Sequence, residues 1–493
     1  MLKGILKALD DKDMESLHGA ALEVLQRTGL QIRGDFLLEA LAGAGCRVDF
    51  ATQRAWFEPD LVERQIEGQR GRYRQVRSSL WYPFCREMPR NDVAFPDEFS
   101  IDYGFAAPKI FDYQRGIIRR PTTQDMLDAI HLGNALKEVK AVCSPYICGD
   151  FDPRMETIES SRLLLKHTLK PGWVGTSSGK EVKYLAEFAA LAAQDDPARL
   201  RTGPPAFVHA YCTTSPLKIG SRSCEVLKEA LKYKFPVNFA SMPILGATAP
   251  VTPAGAAVVA IAEILGGLTA TTLLDPDCYC YATSISSEMD MRTMQICYAT
   301  PAAMLTDAIL HQLFRWRYDL VLNVEPSYVE APGPGIQAAS LKLFRQIMLG
   351  CTASLPLSIG LLDNGSVFSP TQAMIDYDMN TALYRFSRGT RIDAETLAVD
   401  LINELEFCED RTYLDTDHTL SNFRDLMWDT PIFNRTRRQT ERYDIQKEDA
   451  RLLDRAERAW RDLVAAHPPV ARPPEFVAEL DRIVAAARRE LLA

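Results

Sequence analysis

Apolar residues in this chain recur at two spacings, and the change between them divides it. At the N-terminus Leu17, Ala21, Leu22, Val24 and Leu25 fall on one face of a helix that ends at Gly29. Phe36, Leu37, Ala40 and Leu41 predict a shorter helix that stops at Gly43 and Gly45. Pro59, after Glu58, stands where a proline opens a helix at its first position. From about Val76 to Ile118 aromatic and apolar residues alternate with polar ones, which predicts strands or extended loops.

Farther on, short β-prone runs keep returning, at 141–147, 172–176, 206–211, 237–241, 278–283, 320–324 and 355–359. Each gap between them can hold a helix, and strand alternating with helix predicts a parallel α/β fold. Asp152-Pro153, Ser215-Pro216, Thr252-Pro253, Thr300-Pro301 and Ser369-Pro370 each set a capping side chain before a proline, a helix-start signal. A doubly wound sheet would make the same units. Their number and span fit a TIM (β/α)8 barrel, expected over residues 126–390 behind an N-terminal helical and β-rich extension, 1–125. After Tyr377 the pattern turns helical, at 393–407, 419–427, 445–464 and, past a proline-rich linker, through Leu492. This C-terminal segment, 391–493, is expected to pack on the barrel.

Composition narrows the class. With 493 residues, 47% hydrophobic and 25% charged, the chain can bury a large core. A net charge of −9 and no clustered basic face argue against nucleic acid. The apolar run 254–274 contains Glu263, so it reads as a helix buried against the barrel and not as a membrane span. Its small residues raise the expectation of a homo-oligomer. The eleven cysteines follow no framework spacing, and the opening residues form no secretory signal, so a cytoplasmic protein with reduced thiols is expected.

A barrel does its chemistry at the C-terminal ends of its strands. That places Asp150, Thr176, Ser177, Thr213, Thr214, Met242, 284–290, 325–330 and Asp363 on the candidate face, with Tyr211, Tyr281, Tyr298, Tyr328 and Phe368 nearby. Acids mixed with aromatic rings suit a cationic ligand, because a quaternary ammonium is drawn to ring faces. For any one ring core packing is the plainer reading, and only the collection points to a ligand. Cys278 and Cys280 share a strand face, but no further histidine or cysteine completes a zinc set, so they read as buried packing. His131, His167, His209 and His311 are isolated.

Two loops carry a more specific signal. SMPILGATAPVTPAGA (241–256) resembles the signature loop of the trimethylamine methyltransferase family, and YATSISSEMDMRT (281–293) is similar to its next strand and loop. ALEVLQRTGLQI (21–32), the segment around 101–112, and HTLSNFRDLMWDTPIFNR (418–435) match in the same order, so the resemblance spans nearly the whole chain. It implies a TIM barrel that moves a methyl group from a methylated amine to cob(I)alamin on a separate corrinoid protein, with no metal bound by the chain itself. A quaternary nitrogen leaves as a neutral amine without activation, whereas the family's founding enzymes use pyrrolysine for a tertiary amine. Only standard residues occur here, so the resemblance implies a quaternary amine or related onium donor, as in the glycine betaine methyltransferases.

Individual residues inherit expectations from those matches. Asp290 and Arg292, in the matched motif, are candidate catalytic residues, with a structural ion pair as the alternative. Tyr103, Phe105, Tyr211, Glu325, Tyr328, Glu330, Ser358, Asp363 and Phe368 are expected around the donor. Met242, Gly246, Thr248 and Thr252 are expected toward the corrin ring, although Gly246 could serve backbone geometry alone. The chain departs from the family at SLPLSIGLLDNG (354–365), where Ser358 stands about where a histidine is common, and no basic residue occurs in DLVLNVEPSYVE (319–330). Those groups would hold a substrate carboxylate. Glu325 and Glu330 suit instead a cation lacking one. A zinc- or thiol-dependent methyl transfer, a barrel lyase, and a non-catalytic quaternary-amine binder remain as alternatives.

Overall fold

Every residue of Val237–Ser241 is buried, as in a strand covered on both faces. The computed structural model that shows this describes residues 7–72, 101–176, 178–193, 211–352, 357–387, 389–405, 411–426, 428, 430–433 and 445–493. Val237–Ser241 pairs in parallel with Tyr211–Cys212 on one side and Cys280–Ser284 on the other, and Cys280–Ser284 pairs with Leu322–Val324. A second parallel arc runs from Leu357–Ser358 through Ile101–Tyr103 to Val139–Val142. The segment at Pro171 extends it, with Gly172 N–H donating to the Val142 carbonyl at 2.6 Å and Ser144 N–H to that of Trp173 at 3.0 Å.

Between successive strand positions lie the helices Thr123–Ala135, Glu156–His167, Gly179–Ala193, Ser221–Lys232, Pro253–Leu274, Pro301–Leu313 and Ile336–Thr352, and Pro370–Ser387 follows the last. The parallel series therefore opens at Ile101 and not near residue 126, where the sequence places it. The first strand is three residues long and embedded in an aromatic-rich stretch, so its periodicity does not stand out. Most of that stretch, 73–100, lies outside the described residues. Thr252, Thr300 and Ser369 cap their helices as expected, accepting from Gly255, Ala303 and Gln372 backbone N–H. Pro153 and Pro216 do not open helices, which start instead at Glu156 and Ser221.

The Pro253–Leu274 helix is apolar all round because it is covered all round. On one side it meets the Val237–Ser241 strand. On the other, the N-terminal helices Asp11–Arg27, Asp35–Gly43 and Pro59–Gln69 pack over it. It is long and apolar enough to cross a membrane but is mostly buried within the chain. Its small residues thus serve an internal contact, which removes them as a basis for an oligomer. Glu263 is fully buried within it. Its carboxylate accepts from the hydroxyls of Thr213 (2.6 Å), Ser215 (2.9 Å) and Ser241 (2.7 Å) and from Leu217 N–H (2.8 Å). Four donors replace its water, which is what lets a carboxyl group sit there.

Two adjacent glycines let both sides close on this helix. A Cβ on Gly267 would lie 2.6 Å from the Phe239 ring of the strand, and one on Gly266 would lie 2.3 Å from Leu30 of the N-terminal layer. At the other end of the chain, Ile445–Ala466 packs on Pro370–Ser387 and Thr123–Ala135, and Pro474–Leu491 packs on Glu156–His167 and Gly179–Ala193. Arg472 donates to the carbonyls of Leu165 and Thr168, and Arg488 pairs with Glu159 at 2.7 Å. Residues 389–405 and 411–426 do not follow this pattern. None of them joins the hydrophobic core.

Gly267→Ala would gain helix propensity yet press a methyl group into Phe239. We expect overpacking to win, lowering stability by about 1–3 kcal/mol in a denaturant titration. A variant as stable as the parent would show that the helix can shift away from the strand.

Candidate functional site

Strand direction decides which side chains can meet at the C-terminal ends. Phe239 and Ser241 point outward, to Gly267 and Glu263 of the covering helix, so Asn238 and Ala240 between them point inward. Asn238 exchanges hydrogen bonds with Thr283 of the next strand at 3.0 and 3.1 Å. Above this polar layer the loops after Cys280–Ser284 and Leu322–Val324 build the side of the site that is best defined.

Glu325 follows Leu322–Val324 directly and is buried. Its carboxylate accepts from Ser327 backbone N–H at 3.0 Å and from the Ser327 hydroxyl at 2.7 Å. Burial raises its pKa against the opposing pull of the Ser327 and Ser358 hydroxyls and the Arg345 charge. Among the described residues it forms no ion pair. On the same loops, Tyr298 and Tyr328 lie with ring centroids 5.2 Å apart. Glu330 accepts from the backbone N–H groups of Tyr298 and Ala299, both at 3.3 Å, which fixes the approach of the Tyr298 loop. Tyr328 packs so closely on Gly365 that a Cβ there would lie 2.4 Å from its ring.

One helix fastens these loops from behind. Ile336–Thr352 carries two fully buried cations a turn apart, Lys342 and Arg345. Arg345 pairs with Asp307 at 2.8 Å and donates to the carbonyls of Tyr298 (2.6 Å) and Glu325 (3.1 and 3.0 Å). Asp307 in turn accepts from the Ser284 hydroxyl at 3.2 Å and Ser286 N–H at 2.9 Å. Lys342 pairs with Asp376 at 2.6 Å, which also accepts Gly360 N–H at 2.8 Å and Gln372 at 2.7 Å. Burial pushes Asp307 up and Lys342 down, each opposed by its partner.

The residues singled out from sequence separate into three places. Glu325, Tyr328, Glu330 and Ser358 come together on this side, and Asp363 lies beside them, accepting from the Ser366 hydroxyl at 2.6 Å and donating its backbone N–H to the Ala331 carbonyl. Tyr103 and Phe368 also meet, edge to face at 5.5 Å, but in a sealed cluster with Tyr146. Tyr103 is fully buried and its hydroxyl donates to the Ala129 carbonyl of a surrounding helix at 2.7 Å, so its ring packs outward from the strand. That corrects the expectation of a ring facing the donor. Phe105 is half-buried against Trp173, with ring centroids 6.2 Å apart. The Tyr211 side chain lies outside the described residues; its backbone pairs with Phe239.

The third group forms the rim. Short strands Ile244–Leu245, Ser287–Met289 and Ile296–Cys297 make a small sheet over the strand ends. Thr248 accepts Ile244 N–H at 3.0 Å and Thr252 caps its helix, so both hold backbone; Met242 is half-buried before Ile244. Gly246 has φ +84°, and a Cβ there would lie 2.4 Å from the Met291 methyl group. Asp290 accepts Arg292 N–H at 2.9 Å, and Arg292 is 91% exposed. The pair closes an exposed turn, the structural alternative weighed for it.

Arg345, Asp307, Lys342, Asp376 and Trp173 escaped the sequence reading. Their signal was charge inside apolar helical stretches, as in LKLFRQIML and TDAIL. Cys278 and Cys280 are buried, and hydrogen bonding between them and burial push the Cys280 thiol well above its ordinary value. Among the described residues no three His, Cys, Asp or Glu side chains gather as a metal site.

This geometry can be set beside known proteins. The chain is 28% identical over 425 residues to a trimethylamine methyltransferase of Desulfitobacterium hafniense, covering 85% of this chain and 82% of that protein. It is 24% identical over 412 residues to one from Methanosarcina barkeri, covering 82% and 81%. To a glycine betaine methyltransferase of Desulfitobacterium hafniense it is 22% identical over 494 residues, covering 98% and 97%. The crystal structure of the Methanosarcina barkeri monomethylamine methyltransferase overlays loosely, at a TM-score of 0.43 and 13% identity, covering 98% of this chain and 94% of that one. The family model described as trimethylamine methyltransferase (MTTB) matches residues 3–491, and the chain belongs to that family.

Proposed function

We propose that the two arcs close into an eight-stranded (β/α)8 barrel, and that this methyltransferase takes a methyl group from a quaternary amine or related onium compound at the strand ends and delivers it to a corrinoid on a separate protein. The observation that carries the reading is the Glu325 carboxylate. It is buried on a loop whose backbone Arg345 ties to that of Tyr298, and the two buried cations that act on it, Arg345 and Lys342, are ion-paired with Asp307 and Asp376. A quaternary nitrogen has no N–H to donate. It is recognised by negative charge and by ring faces, and a carboxyl group and two tyrosines lie on the loops that Arg345 ties together.

The corrinoid supplies the methyl acceptor. What the chain supplies is binding and orientation: Glu325 and the tyrosines hold the onium, and the loops tied by Arg345 keep that grip in one geometry. The nitrogen departs as a neutral amine, so no side chain has to deliver a proton to it. The rim suits a flat macrocycle, since Val251 and Met291 beside Gly246, and Met294 in the next turn, are each more than half exposed. Ser358 and Glu325 offer no cation to a carboxylate, which favours a donor without one over glycine betaine. Among the described residues no three His, Cys, Asp or Glu side chains gather for zinc, and burial and Cys278 hold Cys280 toward the thiol.

Three outcomes are expected. Glu325→Gln keeps the volume and removes the charge, so KM for the onium should rise about 10- to 100-fold in a methyl-transfer assay with reduced cobalamin, with an unchanged unfolding midpoint. An unchanged KM would take Glu325 out of the site. Because burial raises the Glu325 pKa, affinity for the cation should fall as the pH drops, starting above the ordinary carboxylate range, and the glutamine variant should lack that limb. Arg345→Leu leaves Asp307 buried and unpaired, and should lower stability by about 3–5 kcal/mol in denaturant. A loss under 1 kcal/mol, an order-of-magnitude bound, would mean that Asp307 is neutral or rehydrated.

A further inference from the structure

Lys342, Arg345 and Gln346 stand at i, i+3 and i+4 of the Ile336–Thr352 helix and so share one face. What they touch shows where that face lies. Arg345 donates to the carbonyls of Tyr298 and of Glu325, the residue that follows Leu322–Val324. Gln346 donates to the Ser358 carbonyl, at the end of Leu357–Ser358, at 3.1 Å. Lys342 pairs with Asp376, which holds Gly360 N–H two residues past Ser358. The Lys342 ammonium is thus held beside the segments that leave both strands, one carrying Glu325 and the other Ser358. Both side chains bear on one point, because the Ser358 hydroxyl and the Lys342 charge each act on the Glu325 carboxyl group.

Loop fastening does not use up this ammonium. It is fully buried, and among the described residues Asp376 is the one acceptor for its N–H donors. Asp376, by contrast, accepts from Lys342, Gly360 N–H and Gln372 together. The positive charge is therefore spent only in part on its partner, and Glu325 is a second carboxyl group within its reach. Away from water such a charge is poorly screened and acts strongly. The ionisable groups that meet here are Asp307, Glu325 and Asp376 against Lys342 and Arg345, with the Ser327 and Ser358 hydroxyls also facing Glu325. Three acids against two bases leave one negative charge in excess, and burial favours its removal by a proton on Glu325. A protonated Glu325 would be neutral and would have no hold on a quaternary nitrogen. Lys342 opposes that protonation.

We propose that Lys342 is a positioning residue for methyl transfer: its buried charge keeps the Glu325 carboxyl group ionised in the empty site, ready for a cation. This rests on the reading of Glu325 as the group that meets the onium donor. The test pairs two titrations of the full chain over one pH range. Difference infrared spectra follow the carboxylic-acid C=O band of Glu325, assigned by its loss in Glu325→Gln, and calorimetry follows the binding of tetramethylammonium. Lys342→Met with Asp376→Asn removes the charge pair and keeps an acceptor for Gly360 N–H. In that variant Glu325 should keep its proton to a pH at least about one unit higher than in the parent, and the acid limb of tetramethylammonium binding should move with it. Lys342→Arg should keep both near the parent. If the double variant fails to fold, Lys342→Gln, which retains a donor to Asp376, should show the same upward shift and decides alone. A Glu325 band that titrates at the parent's pH in the folded neutral variant would overturn the proposal, even with tetramethylammonium bound. Tetramethylammonium binding indifferent to Glu325→Gln would instead remove Glu325 from the onium site, and with it the role of Lys342 in the reaction, whatever the infrared bands show.

Discussion

The buried pair between Arg345 and Asp307 sets the positions of the groups around Glu325. Through five hydrogen bonds and the ion pair itself it joins the end of Cys280–Ser284, the loop at Tyr298 and the carbonyl of Glu325. Removing two full charges from water is expensive, and such a pair adds little net stability over an apolar replacement. What it adds is definition: each loop must present one donor or acceptor at one place. Lys342 and Asp376 do the same one turn earlier, for Gly360 and, through Gln372, for Gly335.

With Arg345 and Lys342 ion-paired to Asp307 and Asp376, Glu325 at the strand ends is a buried carboxyl group without an ion pair of its own among the described residues. On the proposed reading, its position favours a methylated cation over a neutral amine. The ordering of the loops comes before any donor arrives, so binding does not have to create it. The rim of Val251, Met291 and Met294 complements this: polar grip inside, apolar edge outside.

Much of the architecture was legible because it rests on long, repeated signals. Five β-prone runs overlap strands, a sixth does so at Tyr211 with 206–210 outside the described residues, the run at 172–176 meets only isolated bridges, and three of five cap-proline pairs start helices. The first strand was missed because three residues, Ile101–Tyr103, are too few to show a period. The site was legible in part. Glu325, Tyr328 and Glu330 were expected together from strand direction and residue type, and the fold places them on neighbouring loops. Tyr103 did not, because which of two neighbouring strand residues faces inward depends on what covers the other side, here Ala129 and Gly133 of a helix. Arg345 and Asp307 are far apart in sequence, and nothing in either helix alone says that they meet.

The central claim is that the site recognises fixed positive charge on a fully substituted nitrogen. Calorimetric titration with a trimethylammonium compound and with its uncharged trimethylcarbon isostere separates charge from shape directly. The account predicts at least about tenfold tighter binding of the cation, the effect of one charge-assisted contact. Equal affinities for the two, or preference for the neutral isostere, would contradict it.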